Sequence, residues 1–143
     1  MDSIELLIEK HNTRNPFKIA ENLHIIVIYE KLGTIHGYYN TAYRQKFIHI
    51  NESLAEHEQY FTAAHELGHA LLHPKANTPF LRKNTLFSIN KLEKEANNFA
   101  INLLISDEDI LSSNCTTTEQ LSSFFGYHEN LMVLKIEKMS NKT

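Results

Sequence analysis

The clearest pattern of apolar and polar positions lies at residues 61–73, which read FTAAHELGHALLH. Apolar residues fall on several faces of a helix there, which is typical of a helix buried at the centre of a domain. Pro74 disfavours helical geometry at His73 and so marks the end of this helix. A second stretch with strong helical periodicity follows at 92–104 (LEKEANNFAINLL). The pattern therefore predicts two long helices joined by a connection.

The segments before residue 61 are shorter and of two kinds, helical and β-branched. Residue 16 is a proline that follows an asparagine, which is a helix start signal. Runs rich in β-branched and apolar residues, such as HIIVIYE, predict strands. We expect helices at 2–11 and 16–22 and strands at 24–30, 35–40 and 46–50, with a turn around Thr41 to Gln45. This order predicts a small antiparallel or mixed sheet that precedes the helix at 61–73.

The connection at 74–91 is polar and joins the two long helices. Loops of this length in a compact domain are often functional. Two interpretations stay open: the rim of a substrate cleft with a hairpin at 85–89 (TLFSI), or a mobile connection.

Candidate chemistry lies within the first long helix, where His65-Glu66-Leu67-Gly68-His69 fits the pattern His-Glu-x-x-His. Four residues are just over one helical turn, so both imidazoles point from one face and can bind one metal ion. Glu66 is displaced sideways, near the metal but not on it, where it can act as a base. The motif predicts a zinc hydrolase, although the sequence does not decide between zinc and manganese. The alternative is that both histidines are hydrogen-bonded core residues.

A third metal ligand is expected on the second long helix, because a catalytic zinc usually has three protein ligands and an open position. Glu93 shares a stripe with Ala96, Asn97 and Ala100, and the two alanines would allow a close approach near Gly68. Glu93 would then reach the metal. Asn97, one turn later, could accept the N–H of a ligand histidine from outside the ligand set.

Two other side chains compete for a role at this site. Glu95 lies about 200° around the helix from Glu93, so we interpret it as a solvated charge. His73 continues the spacing of His65 and His69 but lies about 80° from His65, and we interpret it as a helix C-terminal histidine that faces the helix dipole. A second interpretation, that His73 lines the substrate cleft, stays open.

Length, composition and charge exclude several classes of protein. The 143 residues suit one domain, and the composition of 42% hydrophobic and 22% charged residues is ordinary for a globular protein. A single cysteine, Cys115, excludes an internal disulfide. No apolar run approaches membrane-spanning length, and MDSIELLIEKHN lacks a signal-peptide core. We therefore expect a soluble cytoplasmic protein without membrane contact.

Residues 116–143 predict a helix, a turn at Gly126 and a second helix, with the look of a helix-turn-helix unit. This segment holds three acidic residues and three lysines, and the net charge of the chain is −3. A nucleic-acid binder normally presents a basic face, so we expect no direct nucleic acid binding. We instead expect one domain, 1–143, in which a C-terminal helix pair at about 112–143 packs on the core or docks a protein partner.

Together, FTAAHELGHALLH and LEKEANNFAINLL resemble the ImmA/IrrE family of metallopeptidases, in content and in order. The resemblance implies an α+β fold of the minimal gluzincin type, with a small three-stranded sheet packed on the central helix and flanking N- and C-terminal helices. It also implies zinc held by His65, His69 and Glu93, with Glu66 as the base. Two features depart from the family: Leu104-Ile105-Ser106 lacks the common proline, and Asn97 stands where related peptidases often have Asp.

Members of this family cleave helix-turn-helix transcriptional repressors, in mobile elements or in stress responses. The resemblance implies such a repressor as the protein substrate, and the chain is more similar to the short phage or integrative-element form. The oxyanion donor stays open among Tyr38, Tyr39, Tyr60 and His73. A rival hypothesis is a non-catalytic zinc-containing antirepressor that sequesters the repressor, and a broad housekeeping protease is a third.

Overall fold

The computed structural model describes residues 2–75 and 86–141. Their fold is α+β, as predicted: two short helices, a three-stranded sheet, two long helices and three further helices. The helices are α1 (Ser3–His11), α2 (Pro16–Asn22), α3 (Glu56–Leu72), α4 (Leu86–Leu104), α5 (Asp107–Ser112), α6 (Thr118–Phe125) and α7 (Glu129–Ser140). The strands are β1 (Ile26–Glu30), β2 (Gly37–Ala42) and β3 (Gln45–Asn51).

The sheet is mixed and has the order β1-β3-β2. β1 runs parallel to β3, and β2 runs antiparallel to it. Tyr43 and Arg44 connect β2 to β3, and both have positive φ (53° and 66°), which matches the twist of a two-residue hairpin. β3 is thus the central strand, and its Ile48 and Ile50 enter the core.

The two N-terminal helices begin where side chains cap their free N–H groups. The Asp2 carboxylate accepts from the backbone N–H groups of Ile4 and Glu5, both at 2.9 Å. Asn15 caps α2 in the same way, and Pro16 occupies the first turn, where its missing N–H costs nothing. These helices cover the core with the apolar Ile4, Ile19 and Ala20.

Helix α3 is the centre of the fold, because every residue from Thr62 to Ala70 is buried. The sheet packs on one side of it at very close range. A Cβ at Gly37 would lie 2.6 Å from Thr62 Cγ2 and 2.4 Å from the His49 carbonyl oxygen, so only glycine fits where β2 meets α3. This approach places the start of β2 beside the motif helix.

Helix α4 packs along α3 on another side. A Cβ at Gly68 would lie 2.9 Å from Phe99 Cδ1. The expected close approach near Gly68 therefore exists, but the Phe99 ring occupies it, and the buried Ala96 and Ala100 supply the small surface elsewhere on α4. Arg14 holds the end of α4 by donating to two of its last carbonyls, at 3.1 and 3.0 Å.

The expected hairpin at 85–89 is wrong where the structure describes it, because α4 already begins at Leu86. A short apolar run cannot be told from a helical segment by periodicity alone. Adding residues to an existing helix is far less costly than starting a new element, so the run extends α4. The rest of the connection, residues 76–85, lies outside the described residues.

Helices α5, α6 and α7 build a second apolar cluster against the C-terminal half of α4, from Ile101, Ile105, Ile110, Leu121 and Met132. α5 starts with a reciprocal capping box between Ser106 and Asp109. The α6 and α7 helices confirm the pair expected at 116–143. In the described part of the chain, no helix is both long and apolar enough to cross a membrane.

Candidate metal centre

His65 and His69 lie one turn apart on the buried face of α3, with their ring centroids 4.8 Å apart. Both rings direct Nε2 toward the same point. Because α3 is buried over this whole stretch, the core packing on either side leaves these rings little freedom to rotate.

Glu93 on α4 reaches both rings with one carboxylate. Its Oε2 lies 3.1 Å from His65 Nε2, and its Oε1 lies 2.9 Å from His69 Nε2. One ligand atom from each of the three residues falls within 4.8 Å of the others. Two imidazole nitrogens and one carboxylate oxygen are a donor set that zinc accepts in catalytic sites, so the residues present fit a metal ion.

The electrostatics of the cluster tie the three side chains to one another. Burial acts to raise the pKa of Glu93, but the hydrogen bonds from His65 and His69 outweigh it and hold that pKa well below its usual range. Burial acts to lower the pKa of His65, while its hydrogen bond to Glu93 and the nearby charge of Glu66 raise it, with a net increase. A carboxylate that stays ionised at this depth is well suited to bind a cation.

Glu66 follows the first histidine by one residue and is only 1% exposed. Its Oε2 lies 3.9 Å from His65 Nε2, outside hydrogen-bond range but beside the converging ligand atoms. The side chain is therefore next to the cluster without belonging to it, which is where a base for an activated water is needed.

Asn97 lies one turn beyond Glu93 and interacts with His65, where it adds to the rise in the pKa of that ring. The Nδ1 atoms of His65 and His69 are buried, and neither has a hydrogen-bond partner among the described residues. The role expected for Asn97, to accept the N–H of a ligand ring, thus remains a prediction.

The two competing side chains, His73 and Glu95, contact each other. Glu95 Oε2 lies 3.3 Å from His73 Nε2. His73 is the residue that ends α3, with its ring centroid 5.7 Å from that of His69. Burial lowers the pKa of His73 more than the charge of Glu95 raises it. Glu95 is therefore occupied away from the ligand atoms that Glu93 approaches.

Three of the four side chains considered as oxyanion donors are held elsewhere. Tyr38 stacks on His49, with ring centroids 4.0 Å apart, and Tyr60 packs edge-on against Phe17. Tyr39 is buried and donates to the Pro74 carbonyl at 2.7 Å. His73 is the one that lies near the ligand rings.

A cleft of about 330 Å³ opens beside the cluster, and the sequence reasoning missed it. It is lined by His65, Glu66 and Asn97 together with Phe61, Thr62 and residues 34–37. The segment before β2 was interpreted as part of a strand, so its proximity to the motif helix could not be anticipated. The sequence offers one signal, Asn51, which follows the strand expected at 46–50 and is the last residue of β3, because asparagine at such a position often organises a turn.

A central helix with two metal-facing histidines, a carboxylate from the next helix and a small mixed sheet alongside form the zincin-like arrangement of metallopeptidases. The comparisons agree with this class. The family described as IrrE N-terminal-like domain, peptidase family M78, matches residues 20–137. The chain belongs to this metallopeptidase family, which confirms the resemblance to ImmA/IrrE.

Two relatives show how far the similarity extends. An uncharacterized immunity region protein 2 of Bacillus phage phi105 is 47% identical over 106 residues, which cover 73% of this chain and 67% of the relative. The metallopeptidase ImmA of Bacillus subtilis (strain 168) is 36% identical over 107 residues, 73% of this chain and 62% of its own length. The match thus spans about two thirds of each relative.

Proposed function

We propose that this chain is a zinc-dependent endopeptidase of the gluzincin type, in which His65, His69 and Glu93 hold the ion and Glu66 is the catalytic base. The observation that carries the proposal is the convergence of the two Nε2 atoms on the Glu93 carboxylate, at 3.1 and 2.9 Å. Manganese is the alternative ion, because nitrogen and oxygen donors also suit it.

In the proposed mechanism of peptide hydrolysis, the bound ion and Glu66 have different roles. When bound, zinc supplies a Lewis acid that activates water and polarises a carbonyl. Glu66 accepts a proton from the attacking water and afterwards delivers it to the leaving amine, so one carboxylate serves both steps. Its burial and its position beside His65 keep it within reach of the site.

The proposed substrate is a protein, a helix-turn-helix repressor of a mobile element or a stress regulon. Support comes from the ImmA/IrrE family and from the phage relative, whose name places it in an immunity region. Cleavage of such a repressor would relieve repression. We infer a cytoplasmic location from this role, since the repressor acts on DNA there.

The test is the substitution Glu66→Gln, which keeps the shape of the side chain but cannot accept a proton. We expect zinc to bind as in the parent protein and cleavage of a helix-turn-helix repressor that the parent protein cuts to fall by at least about 100-fold. Intact-mass spectrometry of the repressor after incubation measures the cleavage. Glu56→Gln, on an exposed position of α3, is the matched control and should cleave at the parental rate.

Two outcomes would contradict the proposal. Parental cleavage by Glu66→Gln would show that this carboxylate is not the base. An intact stoichiometric complex between the zinc-loaded protein and the repressor would support the non-catalytic antirepressor instead.

A further inference from the structure

Among the described residues, the cleft beside the metal centre runs from His65 toward the N-terminal end of α3. Of the three converging residues, His65 lines it, whereas His69 and Glu93 do not. Phe61 and Thr62, one turn before His65, continue the same side. A substrate chain that lies across Glu66 would therefore place the side chain next to its scissile bond between α3 and residues 34–37.

Away from the metal centre, the described lining of the cleft has two large apolar side chains, Ile35 and Phe61, beside the polar Thr34, His36 and Thr62. Ile35 is 46% exposed, and Phe61 lies opposite as part of the α3 wall. In the part of the chain that the structure describes, no lysine or arginine lines the cleft, while the Glu66 carboxylate does. An acidic side chain in the cleft would be repelled by the Glu66 carboxylate, whereas an apolar one would exchange water for contacts with Ile35 and Phe61.

The 33–37 wall is fixed from beneath by one buried side chain. Asn51 is 3% exposed, and its Nδ2 donates to the carbonyls of Gly33 and Ile35, both at 3.0 Å. Its backbone N–H donates to the His36 carbonyl at 2.8 Å. One residue at the end of β3 thus holds three successive parts of the wall.

The same wall has little room to move toward α3, because β2 already packs tightly on α3 where Gly37 meets Thr62. Asn51 restrains it from below, and the Gly37 contact restrains it at the strand. These contacts restrain one wall of the cleft in the folded chain. Such preorganisation is what a selective subsite requires.

We propose that this cleft is the subsite for the residue next to the scissile bond, that Ile35 and Phe61 select an apolar side chain there, and that Asn51 is a positioning residue for the wall. The inference rests on the proposed peptidase function and names the class of substrate residue. It assigns the choice of cleavage site to a cleft to which only one proposed metal ligand, His65, contributes.

The first experiment measures cleavage preference. A mixture of synthetic peptides of random sequence is incubated with the zinc-loaded protein, and mass spectrometry identifies the bonds cut. The parent protein should favour bonds flanked by large apolar residues and avoid aspartate and glutamate. Ile35→Ala should reduce the preference for large apolar residues over alanine by about fivefold, since each lost methylene weakens discrimination.

A matched control is available on the same sheet. Ile26 is 45% exposed, almost the same as Ile35, but it lies on β1 and does not line the cleft. Ile26→Ala should leave the preference unchanged. An unchanged preference in Ile35→Ala would overturn the inference while the peptidase function stands.

The role of Asn51 has its own readouts. Asn51→Ala should increase hydrogen exchange at the backbone amides of residues 33–36 and flatten the cleavage preference. Asn40→Ala removes a different asparagine side chain of the sheet, one that accepts from His49 at 2.7 Å, and should do neither. A flattened preference is a ratio between peptides, so a smaller folded fraction alone would not produce it. If Asn51→Ala speeds hydrogen exchange at residues 33–36 but leaves the cleavage preference unchanged, Asn51 has only a structural role, and its assignment as a positioning residue is overturned.

A binding measurement separates failure of the subsite from failure of the peptidase. Blocked Ala-Phe-Ala is titrated into Glu66→Gln, and the amide NMR signals of Ile35 and Gly37 are followed. They should shift, and blocked Ala-Glu-Ala should shift them less. Shifts without cleavage by the parent protein would overturn the proposed function and keep the subsite. If the amide signals do not shift and the parent protein cleaves without preference, the subsite is overturned.

Discussion

At the scale of single residues, the identity of each acidic side chain on α4 decides what it can do. Glu93 and Glu95 are two positions apart, so the helix directs them to different neighbours. Glu93 meets two ring nitrogens, and Glu95 meets His73. This difference is directly testable, because the two residues have the same chemistry.

Glu93→Ala should lower the affinity for zinc by about 100-fold or more, because it removes the carboxylate that joins His65 and His69. Competition with a chromophoric chelator measures this affinity. Glu95→Ala is the control and should stay within about threefold of the parent protein. Equal losses in the two variants would contradict the assignment of Glu93 as the ligand.

A residue without a side chain is equally decisive where α3 meets α4. Gly68→Ala adds a methyl group 2.9 Å from Phe99 Cδ1. Overpacking costs about 1–3 kcal/mol, while alanine gains about 1 kcal/mol of helix propensity over glycine. We expect a net loss of about 1 kcal/mol in the free energy of unfolding, measured in urea.

The substitution Phe99→Leu tests whether crowding with Phe99 causes this loss, because a smaller side chain at position 99 should leave room for the added methyl group. The loss in Gly68→Ala/Phe99→Leu should be smaller than the sum of the two single losses, by at least about 0.5 kcal/mol. Simple additivity would show that the crowding is not with Phe99.

At the scale of elements, a buried lysine attaches the C-terminal helices to α4. Lys135 on α7 is 2% exposed, and its Nζ donates to Asn102 Oδ1 at 3.1 Å and to Asp107 Oδ1 at 2.8 Å. Asn102 in turn donates to the Asn98 carbonyl, one turn back along α4. The helix that carries Glu93 is thus anchored at its far end by polar contacts as well as by the apolar cluster.

Lys135→Met keeps most of the side-chain volume but removes the charge and its hydrogen bonds. We expect a loss of about 2 kcal/mol in the free energy of unfolding, because two buried or half-buried acceptors lose their donor. Lys138→Met on the same helix is the control, since its contact with Asp2 is longer, 3.6 Å, and partly exposed. That variant should change stability by less than about 0.5 kcal/mol in the same urea experiment. A small effect of Lys135→Met would show that apolar packing alone holds α7.

At the scale of the whole molecule, the proposed metal ligands come from two helices that are separated by a long stretch of chain. His65 and His69 are on α3 and Glu93 is on α4, so an ion bound to all three links the two helices of the core. An ion that binds the folded chain but not the unfolded chain stabilises the fold by mass action.

Zinc at 100 times its dissociation constant should therefore stabilise the fold by about 2.7 kcal/mol. For a chain of this length, this corresponds to an increase in Tm of roughly 8 °C. A thermal scan with zinc and after its removal by EDTA measures the shift, and Glu93→Ala should show little of it. The same Tm with and without zinc in the parent protein would contradict a metal site built from both helices.

Much of the local structure could be predicted because it depends on nearby residues. The spacing of His65 and His69 follows from the helix, and the start of α2 follows from Asn15 and Pro16. Residues 85–89 could not be predicted, because a short apolar run fits a strand or a helix and its neighbours decide. The packing of Phe99 over Gly68 also depends on how two distant helices meet.

The sequence by itself determined the two helices, the facing histidines, the glutamate beside them and the two carboxylates that competed for the third position. Those features arise from helical periodicity, which acts over a few residues. Only the tertiary structure decided that Glu93 meets both rings, that Glu95 meets His73, and that residues 33–37 form a cleft beside Glu66. The reason is that these contacts join residues far apart in the chain, and the packing of the whole core sets their distances.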